Sequence, residues 1–294
     1  MSAKTFIIYA RIGRYWDAVL RNVEATKSDQ AFAEHGRLPY GPAHNMAFLI
    51  YAANMAANKT AAVEYSKLLR TSLYMKYPDR PDGPGPSVGW HIPETTELRF
   101  GNWPAVLDAN FSMPRSWPYG FVLGAFARGI AAVRSGMLTL ASEQLQMLQL
   151  HANNVSADYL GCVQVADLSL KAAIADVTVG LEEAIPILSE AVVKQVSFVY
   201  DEPPKWFMPM RQCLGTLQRR AGHLVDAKAT FINDLSKYPE NPWSLYGLLQ
   251  VERLQKVDPT VLKRLETRLA QATKHADRPL ESPCPMFESK ALPS

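Results

Sequence analysis

Cysteine is scarce in this chain: among 294 residues only Cys162, Cys213 and Cys284 occur, an odd number with no C-x-x-C pair. That pattern argues against a disulfide framework and against a structural zinc site, and it favours a reducing, cytoplasmic setting. Long hydrophobic runs are missing too. Apolar segments break well short of the roughly 18 residues a membrane span needs. The N-terminal MSAKTFIIYARIGRYWDA is interrupted by Arg11 and Arg14 before a secretory signal core develops. Neither sign of charge dominates, with 31 Lys and Arg against 28 acids and a formal charge of +3. No polybasic run or basic stripe with interleaved aromatics is present, so neither nucleic acid nor membrane is an expected partner. The sequence also lacks G-x-S-x-G, H-E-x-x-H and a phosphate-cradling glycine loop. Groups assembled from distant positions remain open to it. No cofactor is implied.

Against these absences stands a repeat. Small-residue turns followed by alanine occur at Gly13 to Ala18, Gly136 to Ala141 and Gly222 to Ala227, with shorter versions at Gly101 to Ala105 and Gly180 to Ala184. Asn58, which tolerates the left-handed region, heads a sixth in NKTAAVEY. Each reads as the hinge of a helical hairpin, where glycine supplies a positive φ and a small residue lets the second helix approach. Successive turns fall 35 to 45 residues apart, one helix pair per step. The flanking segments have helical period: Met210, Leu214, Leu217 and Ala221 share a face from which Arg219 and Arg220 point away.

The unit from Met208 to Asn241 resembles a tetratricopeptide repeat. Leu214-Gly215, Gly222, Ala227, Phe231 and Pro239 fall at that motif's spacing, while Arg211 and Gln218 depart from its usual aromatics. Gly129, Gly136, Ala141 and Leu145 make a second, partial match. The resemblance implies an all-α fold, a right-handed superhelical solenoid of antiparallel helix pairs, over residues 1–276. Stacked hairpins bury each other's apolar faces, and the concave wall is the usual binding surface. Two segments break the period. Tyr77 to Pro93, dense in Pro and Gly, reads as a long loop, and residues 277–294 read as an irregular tail that frays or lies across the last helices.

The chain is also similar to a set of uncharacterised bacterial-type tetratricopeptide proteins. Those chains carry an R-x-G-R-Y hairpin, a proline-histidine-asparagine, an R-F-G-R-W segment and an acid-Pro-Pro-x-Trp. The matching pieces here are Arg11 to Tyr15, His44-Asn45, Arg99 to Trp103, and Asp201 to Trp206. Two histidines of that pattern are replaced, by Ile7 and Ala47, so a metal site built on them is dismantled and no metal ligand is assigned.

Candidate ligand contacts each have a plain structural alternative. His44 and Asn45 sit in the first turn of an apolar helix, where they cap it or meet a ligand. Arg99 pairs at the surface with Glu94 and Glu97, or points its fork into the groove toward a carboxylate or phosphate. In YDEPPKWFMPMRQCLG, Asp201 and Glu202 precede Pro203 and Pro204 as in a helix start, which accounts for the acids and the prolines but leaves Trp206 and Arg211 to packing or to the groove. Trp243 and Tyr246, in the helix started by Asn241-Pro242, occupy the repeat's concave-wall positions. Stacked hairpins are expected to bring Glu202, Arg211, Trp243 and Tyr246 into one neighbourhood. The function expected is a scaffold recognising a peptide or protein partner. The alternatives are an enzyme or small-molecule-binding protein with an enclosed pocket, and a structural subunit of an oligomer.

Overall fold

A computed structural model describes residues 5–34, 42–76, 89, 91–108 and 117–288. Among them are fourteen α-helices, two short 3-10 turns and no strand. The helices come in pairs: α1 (Thr5–Arg11) with α2 (Tyr15–Glu34), α3 (Pro42–Met55) with α4 (Lys59–Lys76), α5 (Ile92–Arg99) with α6 (Trp103–Asp108), and α7 (Pro118–Arg134) with α8 (Leu138–Ala152). Then follow α9 (Leu160–Thr178) with α10 (Leu181–Val196), α11 (Met210–Arg220) with α12 (Leu224–Lys237), and α13 (Pro242–Leu254) with α14 (Pro259–Ala272).

Five of the six expected hinges carry positive φ at the glycine named: Gly13, Gly101, Gly136, Gly180 and Gly222. The hinge between α3 and α4 shifts by one residue. Ala57 takes the left-handed conformation, and Asn58 instead caps α4 by accepting the Ala61 N–H at 2.9 Å. A seventh hinge, between α13 and α14, turns through Lys256 with no glycine at all.

Glycine also serves close approach in the pair that best fits the repeat motif. The Phe231 ring on α12 lies against Gly215 of α11, where an added Cβ would come within 2.7 Å of it, and against Gly247 of α13, where it would come closer still. Neither contact leaves room for a side chain, so one aromatic locks three helices together. It belongs to the C-terminal core of Ala227, Phe231, Leu245 and Leu265. A separate core of Phe6, Tyr15, Phe48 and Leu49 joins the first helices. The largest core, around Phe126, Leu170, Trp206 and Leu217, fills the middle.

The first and last pairs touch. Tyr15 donates its hydroxyl to the Pro239 carbonyl at 3.0 Å, the Trp16 ring stacks on His275, and Asp277 accepts the N–H groups of Lys59 and Thr60 at the start of α4 at 3.0 and 2.6 Å. Residues 277–288 therefore do lie across the helices. Cys284, Met286 and Phe287 of this strap are buried in the central core, and Glu288 accepts twice from Arg219.

Two expectations need correction. The loop drawn from Tyr77 to Pro93 ends sooner, because Pro93 lies in the first turn of α5, where its missing N–H costs no helical bond; residues 77–88 lie outside the described residues. The reading against any disulfide fails as well. Cys213 on α11 and Cys284 on the strap are bonded, with Cα atoms 4.9 Å apart, and only Cys162 is free. No spacing rule exposes a bond between residues 71 apart. Among the described residues, no helix is long and apolar enough to cross a membrane.

Two outcomes follow. Alkylation of the unfolded, unreduced protein should label one cysteine and, after reduction, three; closing a loop of that length stabilises by about 4 kcal/mol in the chain-entropy model, so reduction should lower the melting temperature. Three labelled cysteines before reduction would remove the bond. Gly13→Ala and Gly222→Ala share the strain of φ near +81°, but only at Gly13 would the new Cβ meet the Pro239 carbonyl, at 2.5 Å, whereas the space at Gly222 is open. Gly13→Ala should therefore lose more stability in urea melts by about 1 kcal/mol or more.

Candidate ligand-binding site

One face of α3 carries His44, Ala47, Ile50, Tyr51 and Asn54, spaced by three or four residues, and all five line a cavity of about 250 Å³. Opposite them stand His91 with Thr95 and Thr96 of α5, and Tyr119 of α7. The segment from Asp201 to Lys205, with Phe207, closes a third side. Aliphatic and aromatic surface makes most of the wall, and a few polar atoms converge on the space.

Among the described residues, four of those polar atoms are buried and have no hydrogen-bond partner: Asn54 Oδ1, His91 Nδ1, Thr96 Oγ1 and Tyr119 Oη. Each such group costs about 1–3 kcal/mol relative to one that is paired. His91 is 5% exposed and sits edge-on to Tyr119, ring centroids 5.2 Å apart. Burial, reinforced by the nearby Arg70 charge, pushes its imidazole down to about 3, so the ring is neutral at physiological pH. The Tyr119 hydroxyl, held protonated by burial, lies beside the Cys162 thiol, which burial pushes up to about 11. This corner of the site is uncharged.

Charge gathers at the segment between Asp201 and Lys205. Helix α11 begins only at Met210, after Pro209 as its N-cap, so the reading of Asp-Glu-Pro-Pro as a helix start is overturned. Glu202 reaches 191 residues back along the chain: it accepts from Arg11 at 2.7–2.9 Å and from the Tyr200 hydroxyl at 2.7 Å, while the Arg11 guanidinium lies 4.5 Å from the Tyr200 ring centre. On the far side of this segment a second cavity, of about 540 Å³, is lined by Arg11, Arg211 and Tyr238, and shares Tyr51, Asp201 and Glu202 with the first. Arg211 makes no hydrogen bond or ion pair among the described residues; its charge acts on Asp234 and Tyr238 at longer range.

Arg99 is neither a surface ion pair nor a groove residue. It is fully buried, donating to Gln212 Oε1 at 2.6 Å and to the Pro283 carbonyl at 3.5 Å, with its guanidinium 3.7 Å from the centre of the Trp243 ring. Glu94 and Glu97 pair elsewhere, with Arg70 and Lys59. Gln212 passes the contact on to Asp234, which also accepts from Ser244 at 2.7 Å. Burial pushes Arg99 down to about 9 and Asp234 up from its usual range.

The expected residues therefore divide. His44, Asp201 and Glu202 line the first cavity, and Arg211 joins the two acids in the second. Asn45 is buried in α3, outside both cavities. Trp206 lines the second cavity with its buried edge, packed on Phe126 and donating its indole N–H toward Met210 Sδ at 3.1 Å. Trp243, 2% exposed, donates to the Asn54 carbonyl at 2.9 Å; Tyr246 lies outward, with its hydroxyl 3.4 Å from the Glu281 carbonyl. The single neighbourhood expected for Glu202, Arg211, Trp243 and Tyr246 is thus split. Asn54, Thr95 and Thr96 were not foreseen, because an asparagine and two threonines within helices carry no motif. Among the described residues, no cluster of three His, Cys, Asp or Glu side chains is placed to hold a metal.

The neutral His91 gives a signed pH dependence. Its folded value lies below the unfolded 6.5, so its contribution is complete above pH 6.5 and is lost as pH falls toward 3. Between pH 7 and pH 5 the wild type should lose on the order of 1–2 kcal/mol more than His91→Gln in urea melts. Parallel losses in the two proteins would mean that His91 protonates freely in the folded state.

Comparison with known protein families, with curated proteins and with solved structures returns no match.

Proposed function

We propose that the chain is a tetratricopeptide-type solenoid, right-handed and built of antiparallel helix pairs, which works as a binding scaffold and takes a peptide segment of a partner protein on its inner wall. The observation that carries this reading is the set of four polar atoms, Asn54 Oδ1, His91 Nδ1, Thr96 Oγ1 and Tyr119 Oη, that are buried, uncharged and without a partner among the described residues on the wall of one cavity. A peptide backbone presents what they lack, neutral N–H and C=O groups. The apolar surface of Ile50, Leu69 and Ile92 suits a side chain beside it. The second cavity continues past Asp201 to Lys205 and lengthens the path for an extended chain.

A small neutral amide-bearing compound is the second reading. It is supported by the contacts of the first helix pairs with the last, which narrow the concavity. Work in a reducing cytoplasm requires the Cys213–Cys284 bond to persist against the thiol pool there.

Selection of short peptides from a displayed library on the immobilised protein tests the proposal. Peptides recovered should bind Thr96→Val about ten-fold more weakly, since the variant keeps the shape of the wall and removes the hydroxyl. Uncharged sequences should dominate among them. Recovery of peptides that bind Thr96→Val and His91→Phe as tightly as wild type would place recognition elsewhere.

A further inference from the structure

On the other side of the Arg99–Trp243 contact lies a separate cavity of about 300 Å³. Phe100, Trp103 and Trp243 give it an aromatic wall, with the Phe100 and Trp243 rings inclined at 57°, and residues of the strap from Arg278 to Glu288 line the rest. Arg134, the last residue of α7, faces this space. It is 9% exposed, and no hydrogen bond or ion pair to it exists among the described residues; its Nε is buried and without a partner.

A guanidinium keeps its charge at any physiological pH, so a buried one with no partner is a costly arrangement. The carboxylates of Asp176 and Glu288 favour its charge from a distance, but neither bonds to it. Asp176 gives Oδ2 to Arg220 at 2.7 Å, and its Oδ1 meets no donor; Glu288 gives both oxygens to Arg219, at 2.6 and 2.8 Å. Three arginines, Arg134, Arg219 and Arg220, thus share two carboxylates, and the surplus positive charge falls on the one that bonds to neither. The same cavity is lined by exposed Arg278 and exposed Glu281, which do not pair with each other.

We propose that this cavity is an anion site that takes a small aromatic carboxylate. The fork of Arg134 would receive the carboxylate through two parallel N–H donors, and the ring would lie against Trp103 and Phe100. A single surplus charge matches a monoanion better than a doubly charged phosphate, and the aromatic wall adds nothing to a bare inorganic ion. Arg278 is the second positive group that an anion would meet on the wall of this cavity. This site is distinct from the cavity on α3 and does not rest on the function proposed for it.

Calorimetric titration with benzoate, benzamide and inorganic phosphate tests the assignment, with indole fluorescence of the Trp103 and Trp243 wall as a second readout. Benzoate should bind with Kd of about 1 mM or tighter, and its neutral isostere benzamide about ten-fold more weakly. Arg134→Gln should reduce benzoate affinity about ten-fold, and Arg278→Ala, at an exposed position, about three-fold with an unchanged melting temperature. Should Arg134→Gln fail to fold, the Arg278→Ala titration and the benzoate-to-benzamide ratio still decide. Equal binding of benzoate and benzamide, no benzoate binding at about ten times that concentration, or tighter binding of phosphate than of benzoate would each overturn the proposal.

Discussion

A guanidinium stripped of water has to be answered from every direction at once, and in this protein the Arg99 charge is answered by parts of the chain more than a hundred residues away. Gln212 on α11 accepts one of its N–H groups, the Pro283 carbonyl on the strap lies near another, Met208 Sδ lies 3.8 Å off, and the Trp243 ring of α13 covers its face. Trp243 in turn donates to the Asn54 carbonyl of α3. Such a buried ion adds little net stability against a hydrophobic replacement, but removing any one partner leaves a charge exposed to low dielectric. Its contacts tie α5 to α11, α13 and the strap, and through Trp243 to α3, while the Arg99 Nε is left without a partner among the described residues.

The same layer separates the interior into two chemically different spaces. Asn54 shows how closely they adjoin, since its carbonyl holds Trp243 while the residue also lines the cavity beside neutral His91. The opposite face of the aromatic layer looks toward Arg134. His91 stays neutral because Arg70 and burial both oppose its protonation. Arg134 cannot follow that course, because arginine does not shed its proton in this range, and it retains a charge that the local acids have already spent on Arg219 and Arg220. Relay of the Arg99 contact through Gln212 to Asp234, Asn241 and Ser244 fixes the α11, α12 and α13 side of the layer.

What was legible in the sequence were the features whose cause is local. A glycine followed by a helix of the right period announces a hinge, and five of the six named glycine or asparagine positions carry it. The turns at Ala57 and Lys256 escaped because neither residue favours positive φ by itself, and only the packed helices on either side impose it. Asp201 to Pro204 was misread for the same reason in reverse. The local rules for helix starts fit it well, yet Glu202 is engaged with Arg11 from the first hairpin. Arg99 with Glu94 and Glu97 has the spacing of a solvated helix face, and nothing within ten residues hints that Gln212 and Pro283 will bury it. The Cys213–Cys284 bond belongs with these: pairing is decided by where the strap lies, which no spacing records.

Buried polar atoms without partners are few in most folded chains, and each lowers stability by about 1–3 kcal/mol. Here they are not scattered only through the packed cores. Asn54, His91 and Thr96 meet on one cavity wall, and Arg134 faces another, while the demanding Arg99 a few side chains away has its fork ends supplied. Arg99 is supplied at its fork ends through contacts 113 and 184 residues distant, while its Nε has no partner among the described residues. Part of the deficit therefore sits where an incoming molecule can offset it, and that part carries the two proposals: neutral hydrogen-bonding groups for the cavity on α3, and a carboxylate for the one beneath the strap.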